Sequence, residues 1–420
     1  MLLHQYSVTT AVTFFSITAS LKSLLFLLLM IPVFVVAQPA IDTDLIPRYS
    51  RPTIDDLPMI LDTDEYEILV EVVASGLENP WGMAFLPDGD MLITERDGHV
   101  RLLRDGVLEP DPIPGTPEVH TMQLSGLMDI ALHPEYEKNG LIYLTYNKPL
   151  GEREETIALA RGRFDGNGFQ DMRDIFVSTP NHAGGSRIVF APDGSLFMTV
   201  GGAYTVGRTA ERAQDGSWHS GKVLHLLDDG SPFPGNPFSG QAGYHAEVYS
   251  MGHRNQHGLA FYPLTGELWA HEHAPQGGDE LNIIKPGANY GWPIVSYSRR
   301  YDGPRITQQP WQEEFEQPVV LWLPSIAPSG LMFYTGEKFP AWKNHAFVGS
   351  MRVGRILRTG HLERIVLNEN GEETAREWIL EELGERIRDV KQGPDELIYV
   401  LTETADGMLL RLSPVAPVEE

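Results

Sequence analysis

A strand–turn–strand signature that recurs along the chain constrains its fold most strongly. Each copy begins with an alternating apolar run and continues into a turn, most often of the Pro-Asp-Gly type, before a second apolar run. Alternation with period two is typical of half-buried strands, and Pro, Asp and Gly supply the turns between them. Six copies occur, and they begin at Trp81, Met128, Arg187, Gly258, Gly330 and Arg388.

Repetition at this spacing predicts small sheets arranged around a ring. A single sheet of this kind cannot bury both of its faces, so its neighbours must cover them. We therefore predict an all-β, six-bladed β-propeller over residues 65–415, as one domain. A large β-sandwich is the alternative fold, but it does not explain six copies of one turn pattern. Only Thr374 to Glu385 has a pattern suited to a short helix.

The N-terminal region has the features of an export signal. An apolar run from Ser23 to Ala37 follows Lys22 and ends in small residues before Gln38. The run is shorter than the roughly 20 residues that a membrane-spanning helix needs. We interpret residues 1–37 as a signal peptide and expect a periplasmic or secreted protein without stable membrane insertion after cleavage. An uncleaved anchor is the alternative, and residues 38–64 read as an extended lead-in.

Composition excludes several classes of function. The 420 residues include 57 acidic and 32 basic side chains, which gives a formal net charge of -25. Such a surface repels phosphate backbones, so we expect no nucleic-acid partner. There are no cysteines, which excludes disulfides, thiolate catalysis and thiolate-ligated metal centres. Redox chemistry would therefore require an organic cofactor or a metal held by oxygen and nitrogen.

Two loops combine histidine with residues suited to polar chemistry. His182 precedes two glycines just before the third copy, and a loop histidine can act as a general base near neutral pH. Arg254 and Asn255 enter the fourth copy, and together they can form a fork onto a carbonyl or carboxylate. The ordinary alternatives are a surface histidine and a salt bridge at a strand end.

The segment from His271 to Asn282 is dense in residues that bind metals. Its His-x-His pattern is compatible with zinc, but no third nitrogen ligand lies at a recognisable spacing. Backbone carbonyls at Ala274 and Pro275, with carboxylates nearby, suit calcium better.

Three arginines are informative in so acidic a chain. Arg386 and Arg388 are two residues apart, which places them on one face of a strand. Together with Arg352 they can hold a polyanionic ligand. Pairing of Arg386 and Arg388 with nearby acids such as Glu381 and Glu385 is the alternative.

Taken in order, these segments resemble the soluble quinoprotein sugar dehydrogenases, which are the glucose and aldose sugar dehydrogenases that depend on pyrroloquinoline quinone (PQQ). The resemblance spans roughly residues 70–412, and its most specific parts are Gly252–Phe261, His271–Asn282 and Ala288–Pro293. The family fold is a six-bladed propeller. The family's long cysteine-bearing insertion is absent, which favours the shorter aldose type of broad specificity.

The resemblance implies that the C1 hydroxyl of an aldose is oxidised to a lactone, with hydride passing to C5 of PQQ. His182 matches the general base, and Arg254 matches the residue that stabilises the oxyanion on the cofactor. Gln123 lies near a residue that lines the sugar site. The carbonyls of Ala274 and Pro275 match the pair that holds Ca²⁺ against PQQ.

The resemblance extends to further contacts. Those with the cofactor match Asn255, Ser325, Arg352, Arg386 and Arg388, and Arg352 falls where the glucose enzyme has a lysine. Glu280 and Tyr290 match ligands of a second, structural calcium.

This sequence also departs from the family pattern in places. Ala274 replaces a usual glycine, which is tolerable if its φ stays negative. The segments near Gln123 and Gly202 differ, which affects the sugar pocket more than the cofactor site. Two other functions therefore stay open, a calcium-dependent lactonase and a non-catalytic binding propeller. Besides the small-molecule aldose, we expect an electron acceptor that no motif identifies.

Overall fold

The computed structural model describes residues 54–121, 125–152, 154–180, 184–204 and 209–415. Within these ranges the chain forms six antiparallel sheets of four or five strands. The first strands of successive sheets contact one another, and the sixth contacts the first, so that the sheets form a closed ring. The prediction of an all-β, six-bladed β-propeller is confirmed.

The described chain begins with a 3₁₀ turn at Ile54–Asp56 and two strands, β1 (Met59–Asp62) and β2 (Glu67–Leu77). Strand β1 lies inside the range 38–64 that reads as a lead-in in the sequence. Residues 1–37, the expected signal peptide, lie outside the described residues. Among the residues that are described, no helix is long and apolar enough to cross a lipid bilayer.

The first three blades follow in chain order. Blade 1 contains β3 (Pro80–Phe85), β4 (Met91–Glu95), β5 (Val100–Arg104) and β6 (Val107–Leu108). Blade 2 contains β7 (Leu127–Leu132), β8 (Leu141–Pro149), β9 (Glu155–Phe164) and β10 (Phe169–Val177), with the short helix α1 (Tyr136–Asn139) between its first two strands. Blade 3 contains β11 (Ile188–Phe190), β12 (Leu196–Val200), β13 (Lys222–Leu226) and β14 (Val248–Met251), with a 3₁₀ turn at Ala210–Gln214.

The last three blades repeat this plan. Blade 4 contains β15 (Gln256–Phe261), β16 (Leu268–Glu272), β17 (Asp279–Ile284) and β18 (Val320–Trp322). Blade 5 contains β19 (Pro328–Phe333), β20 (Ala346–Ser350), β21 (His361–Leu367) and β22 (Glu373–Ile379), with a 3₁₀ turn at Pro340–Trp342. Blade 6 contains β23 (Ile387–Gln392), β24 (Ile398–Thr402) and β25 (Gly407–Pro414).

Blade 6 is completed by the N-terminal strands. Strand β2 pairs with β25 from Ile68 opposite Pro414 to Leu77 opposite Gly407, and β1 adds a fifth strand outside β2. Backbone hydrogen bonds between the two ends of the domain therefore close the ring.

The core lies between the blades. Each interface between neighbouring blades holds a cluster of buried apolar side chains, within the part of the chain that the structure describes. Leu102 and Leu144 belong to the cluster between blades 1 and 2, and Ile93 and Leu401 belong to the cluster between blades 1 and 6. Burying one such side chain contributes roughly 1.5–3 kcal/mol, so the sheet faces hold the ring together.

The expected helix between Thr374 and Glu385 is wrong. Residues Glu373–Ile379 form β22, the outermost strand of blade 5, with Ile379 opposite Leu362. An outermost strand has a free edge and packs less of its surface, so its apolar alternation is weak. Trp378, for example, is 45% exposed.

Candidate functional site

The inner strands of all six blades begin at the same end of the ring, and their starts line one cavity of about 700 Å³. In an antiparallel blade, the connection from the second to the third strand lies at that end too. In blades 1, 3, 4 and 5, residues of this second connection also line the cavity. Those at the inner-strand starts include Trp81, Met128, Gly185, Asn255, Ala327 and Arg386. The volume is typical of a small-molecule site.

The structure brings most of the predicted cofactor and calcium residues to this cavity. Seven of them line it, together with the predicted catalytic residue Arg254: Asn255, Ala274, Pro275, Ser325, Arg352, Arg386 and Arg388. His182 and Gln123 lie outside the described residues, so their roles stay predictions. Gly184, two positions after His182, lines the same cavity as Arg254.

Arg386 and Arg388 share one carboxylate. Glu403 lies 2.6 Å from a terminal nitrogen of each guanidinium, and it also accepts a 2.9 Å bond from Arg386 Nε. Burial raises the pKa of Glu403, but the charges of Arg388 and Arg386 outweigh this effect and hold the pKa below its ordinary value. The partner is therefore not Glu381 or Glu385, as the alternative supposed. Glu403 follows β24, which pairs with the strand that Arg386 precedes.

Arg254 carries a buried charge, and no carboxylate of a described residue forms an ion pair with it. One terminal nitrogen donates to the carbonyl of His273 at 2.6 Å, and the guanidinium carbon lies 5.1 Å and 5.5 Å from the ring centres of Tyr204 and Trp292. Its Nε is buried and finds no hydrogen-bond partner in the described structure. The group is only 3% exposed, so an anionic atom in the cavity would gain strongly from it.

The Asn255 amide is fixed at both ends. Its Oδ1 accepts from the backbone N–H of Gly185 at 2.8 Å, and its Nδ2 donates to His257 Nε2 at 2.7 Å. A Cβ at Gly201 would lie 2.2 Å from Asn255 Oδ1, so only glycine fits there. Burial, reinforced by the neighbouring His273, holds the pKa of His257 well below its usual value and keeps the ring neutral.

Asp279 holds the candidate calcium loop against the Ser325 loop. One of its oxygens accepts from the N–H of Ala274 at 2.8 Å, and the other accepts from the N–H of Ala327 at 2.8 Å and from the Ser325 hydroxyl. Burial raises the pKa of Asp279 to about 6. One carboxylate therefore positions residues that the sequence assigned to the metal and to the cofactor.

The loop at Ala274 and Pro275 fits a hard cation. Ala274 does not have a positive φ, which meets the condition for alanine in place of glycine. Neither carbonyl oxygen accepts a hydrogen bond from another described residue. Both remain available as the oxygen ligands that calcium prefers.

Glu280 and Tyr290 line a second, smaller cavity of about 10 Å³, which suffices for one ion or water. Glu280 lies opposite Glu272 across two strands of blade 4. Burial, followed by the charge of Glu272, raises the pKa of Glu280 to about 8. A buried and a half-buried carboxylate on facing residues suit a divalent cation, as the second predicted calcium requires.

The two histidines of the His-x-His pattern are committed to the backbone. His271 Nε2 pairs with the carbonyl of Gly330 at 2.9 Å, and His273 Nε2 pairs with that of Pro328 at 2.7 Å. A nitrogen that donates to a carbonyl carries a hydrogen and is not a metal ligand. Burial lowers the pKa of both rings to about 3, so they stay neutral. This arrangement does not favour the zinc alternative.

A second group of charges lies at the centre of the ring. Arg187 of blade 3 contacts Asp129 of blade 2 at 3.1 Å and Asp389 of blade 6 at 3.0 Å. Its Nε donates to the carbonyl of His257, and its guanidinium packs 4.1 Å from the ring centre of Trp81. We call Arg187, Asp129 and Asp389 the central cluster, and it joins five of the six blades beneath the cavity.

The repeat explains the central cluster. The same position in the six copies is occupied by Gly82, Asp129, Arg187, Gly258, Gly330 and Asp389. The glycines leave space for the charged groups, since a Cβ at Gly82 or Gly330 would lie 3.1 Å or 2.9 Å from an aspartate oxygen. Sequence reasoning missed the cluster, although two acids and one arginine at an inner-strand position were a visible signal.

The fold and the site together define the class of protein: a six-bladed propeller with an arginine-rich small-molecule cavity at one end of its ring. The sequence profile described as glucose/sorbosone dehydrogenase matches residues 77–411. The chain therefore belongs to the glucose/sorbosone dehydrogenase family, a family of sugar-oxidising enzymes.

Relatives agree with this membership. The chain is 37% identical to the aldose sugar dehydrogenase YliI of Escherichia coli (strain K12) over 356 residues, which cover 82% of this chain and 92% of the relative. The apo-form structure of soluble aldose sugar dehydrogenase from Escherichia coli aligns with a TM-score of 0.77 and 35% identity, over 83% of this chain and all of that chain (100%). The PQQ-bound aldose sugar dehydrogenase from Streptomyces coelicolor aligns with a TM-score of 0.65 and 28% identity, over 82% and 98% of the two chains.

Proposed function

We propose that this protein is a PQQ- and calcium-dependent aldose dehydrogenase that oxidises the anomeric C1 hydroxyl to a lactone in the periplasm or outside the cell. The observation that supports this most strongly is the convergence in one cavity of Arg254 with seven residues assigned to cofactor and calcium. The relatives named as sugar dehydrogenases, one of them with PQQ bound, point to the same chemistry.

The cavity suits a small polyanion such as PQQ, which carries three carboxylates. Arg388 Nε and Arg254 Nε are both buried without a hydrogen-bond partner among the described residues. Guanidinium groups bind carboxylates through paired hydrogen bonds, and Arg352, Arg386 and Arg388 are the candidates for this role. When bound, PQQ would supply the acceptor for two electrons.

The chain would supply the remaining chemistry. Oxidation at C1 transfers a hydride to the acceptor and a proton to a base, and His182 is our candidate for that base. Arg254 would stabilise negative charge that develops in the cavity, because its guanidinium is desolvated and no described carboxylate pairs with it. The carbonyls of Ala274 and Pro275 would hold calcium beside the cofactor.

Reconstitution tests the proposal. Purified apo-protein is given PQQ and Ca²⁺ together, each alone or neither, and reduction of an artificial dye is followed with a panel of mono- and disaccharides. We expect turnover only with both additions, and we expect His182→Gln to lose roughly 10²–10⁴-fold in rate. Folded protein that binds PQQ but oxidises no sugar would instead be a binding propeller. Lactone hydrolysis that continues without PQQ would favour the lactonase.

Location has its own test. Cell fractionation of a tagged full-length chain should recover it in the periplasm or the medium. Recovery in the cytoplasm would contradict that part of the proposal.

A further inference from the structure

The cavity carries more positive charge than its cofactor residues account for. Its lining has no Asp or Glu among the described residues, in a chain whose net charge is -25, yet it contains seven arginines: Arg96, Arg254, Arg299, Arg352, Arg355, Arg386 and Arg388. We infer that the mouth of the cavity recognises an anionic aldose, a sugar with a carboxylate at the end remote from its anomeric carbon. The inference rests on the proposed function and specifies its substrate class.

The seven arginines differ in depth, and four of them form an inner group. Arg254 and Arg388 are buried, at 3% and 7% exposure, and Arg96 and Arg386 are half-buried. Glu403 is within 4 Å of three of these four, with Arg96 the most distant at 3.8 Å. Charge in the deeper part of the cavity is thus partly balanced by the protein.

The other three, Arg299, Arg352 and Arg355, are exposed. Arg352 is already assigned to the cofactor, and we call Arg299 and Arg355 the rim arginines. Both are exposed and line the cavity. Arg299 donates to the carbonyl of Gly303 at 3.2 Å, and Arg355 donates to that of Tyr301 at 3.4 Å. Neither has a carboxylate within 4.0 Å in the described structure, whereas the adjacent Arg300 pairs with Asp302 at 3.1 Å.

The rim arginines also come from different elements. Arg299 belongs to the long connection between β17 and β18 of blade 4, and Arg355 follows β20 of blade 5. The contact between Arg355 and Tyr301 brings these connections together at the mouth. Two guanidinium groups on neighbouring segments can hold one carboxylate from two directions.

Charge balance separates the rim from the cofactor site. The three carboxylates of PQQ would be matched by Arg352, Arg386 and Arg388, and oxyanion stabilisation would use Arg254. That assignment leaves the rim arginines without a role for a neutral sugar. In the pyranose form of a hexuronic acid, the C6 carboxylate is carried by C5, which the ring oxygen separates from C1. The carboxylate projects outward from the ring, so C1 can face the cofactor while the carboxylate faces the mouth.

The reaction itself is unchanged. The C1–H bond of the uronic acid would break with its hydride going to the two-electron acceptor that PQQ would supply. The C1 hydroxyl proton would go to the base, and the product would be the lactone. The C6 carboxylate stays ionised and takes no part in electron transfer. The rim would therefore act through the selection of substrate.

Substrate comparison tests the inference. Reconstituted protein is assayed with glucuronate and glucose, and the ratio of their kcat/KM values is the readout. We expect a ratio above one that falls at high salt, because exposed charge interactions are screened. Arg299→Gln with Arg355→Gln should lower the ratio about tenfold with kcat/KM for glucose little changed. Arg300→Gln, which alters the same hairpin outside the cavity lining, is the matched control and should leave the ratio unchanged.

A charge-reversed variant distinguishes loss of charge recognition from loss of folded protein. Arg355→Glu should push the ratio below that of the double variant, and thermal unfolding verifies that each variant is folded. If glucose is oxidised and the ratio is the same in all variants, the inference fails while the proposed function stands. If neither sugar is oxidised, the proposed function fails first.

An anionic electron acceptor is the other anion that could use the rim. Stopped-flow measurements separate the two sources, since reduction by sugar and reoxidation by ferricyanide are distinct half-reactions. The inference requires the rim variants to slow the first half-reaction with glucuronate. Slower reoxidation by ferricyanide with unaltered reduction by glucuronate would assign the rim to the acceptor and overturn the inference.

Discussion

Arginines occur in two settings at the middle of this propeller, and the contrast separates stability from function. In the central cluster, Arg187 is buried against Asp129 and Asp389 and donates its remaining bonds to carbonyls. In the cavity above, Arg254 and Arg352 have no carboxylate within 4 Å among the described residues. An arginine that is paired with carboxylates of other blades links those blades. An arginine without such a partner is available to bind an anionic ligand.

The largest effect on stability is expected from a substitution in the central cluster. Arg187→Met would leave two buried carboxylates facing each other without a counter-charge. We expect the free energy of unfolding to fall by about 3–5 kcal/mol, measured by urea denaturation. Arg352→Met should change it by less than about 0.5 kcal/mol, because that side chain is exposed. Equal stability of the two variants would contradict the distinction.

Glu403 sharpens the comparison, because it belongs to both settings. It neutralises two cavity arginines and is itself buried. Glu403→Gln should lower the free energy of unfolding by about 2 kcal/mol at pH 7, since Arg388 then loses its buried partner.

That loss should depend on pH in a defined direction. The folded-state pKa of Glu403 is held below its ordinary value of 4.5. Its stabilisation is therefore present above pH 4.5 and disappears as pH falls through the folded pKa. Urea denaturation of the wild type and of Glu403→Gln at a series of acidic pH values should show that the difference in their free energies of unfolding becomes smaller as the pH falls. A constant difference would show that the carboxylate charge is not responsible.

The smallest effect concerns ligand affinity and is expected from the substitution of one cavity arginine. Arg352→Met should weaken PQQ binding to the apo-protein about tenfold, because one guanidinium–carboxylate contact is lost. Absorbance titration of the quinone measures this change, with Arg300→Gln as the control. Unchanged affinity would remove Arg352 from the cofactor site.

The sequence predicted the fold well because local signals repeat. Alternation and turn residues identify each hairpin, and six copies determine the number of blades without any knowledge of long-range contacts. The failure at Glu373–Ile379 has a physical cause, since an outer strand buries little and loses the alternation that marks the others.

The site was predictable to the extent that its residues sit in compact motifs. Arg254, Asn255, Ala274 and Pro275 fall in two short loops, and the structure brings both loops to the cavity. The partner of Arg386 was not predictable, because Glu403 becomes a neighbour only through strand register. The rim arginines were missed for a similar reason, as they meet across two blades and share no motif.

One consequence of the closing strand concerns the order in which the molecule can be assembled. Strands β1 and β2 are synthesised first, but β2 pairs with β25, which is synthesised last. The ring of blades therefore stays open until translation of the domain has finished. Because of this pairing, neither end of the domain can complete blade 6 without the other. Circular permutation tests this dependence. It would link the end of β25 to the start of the β1–β2 segment and place new chain termini in a surface hairpin of another blade. We expect the permuted protein to fold and function, because the strands of blade 6 would then be contiguous in sequence.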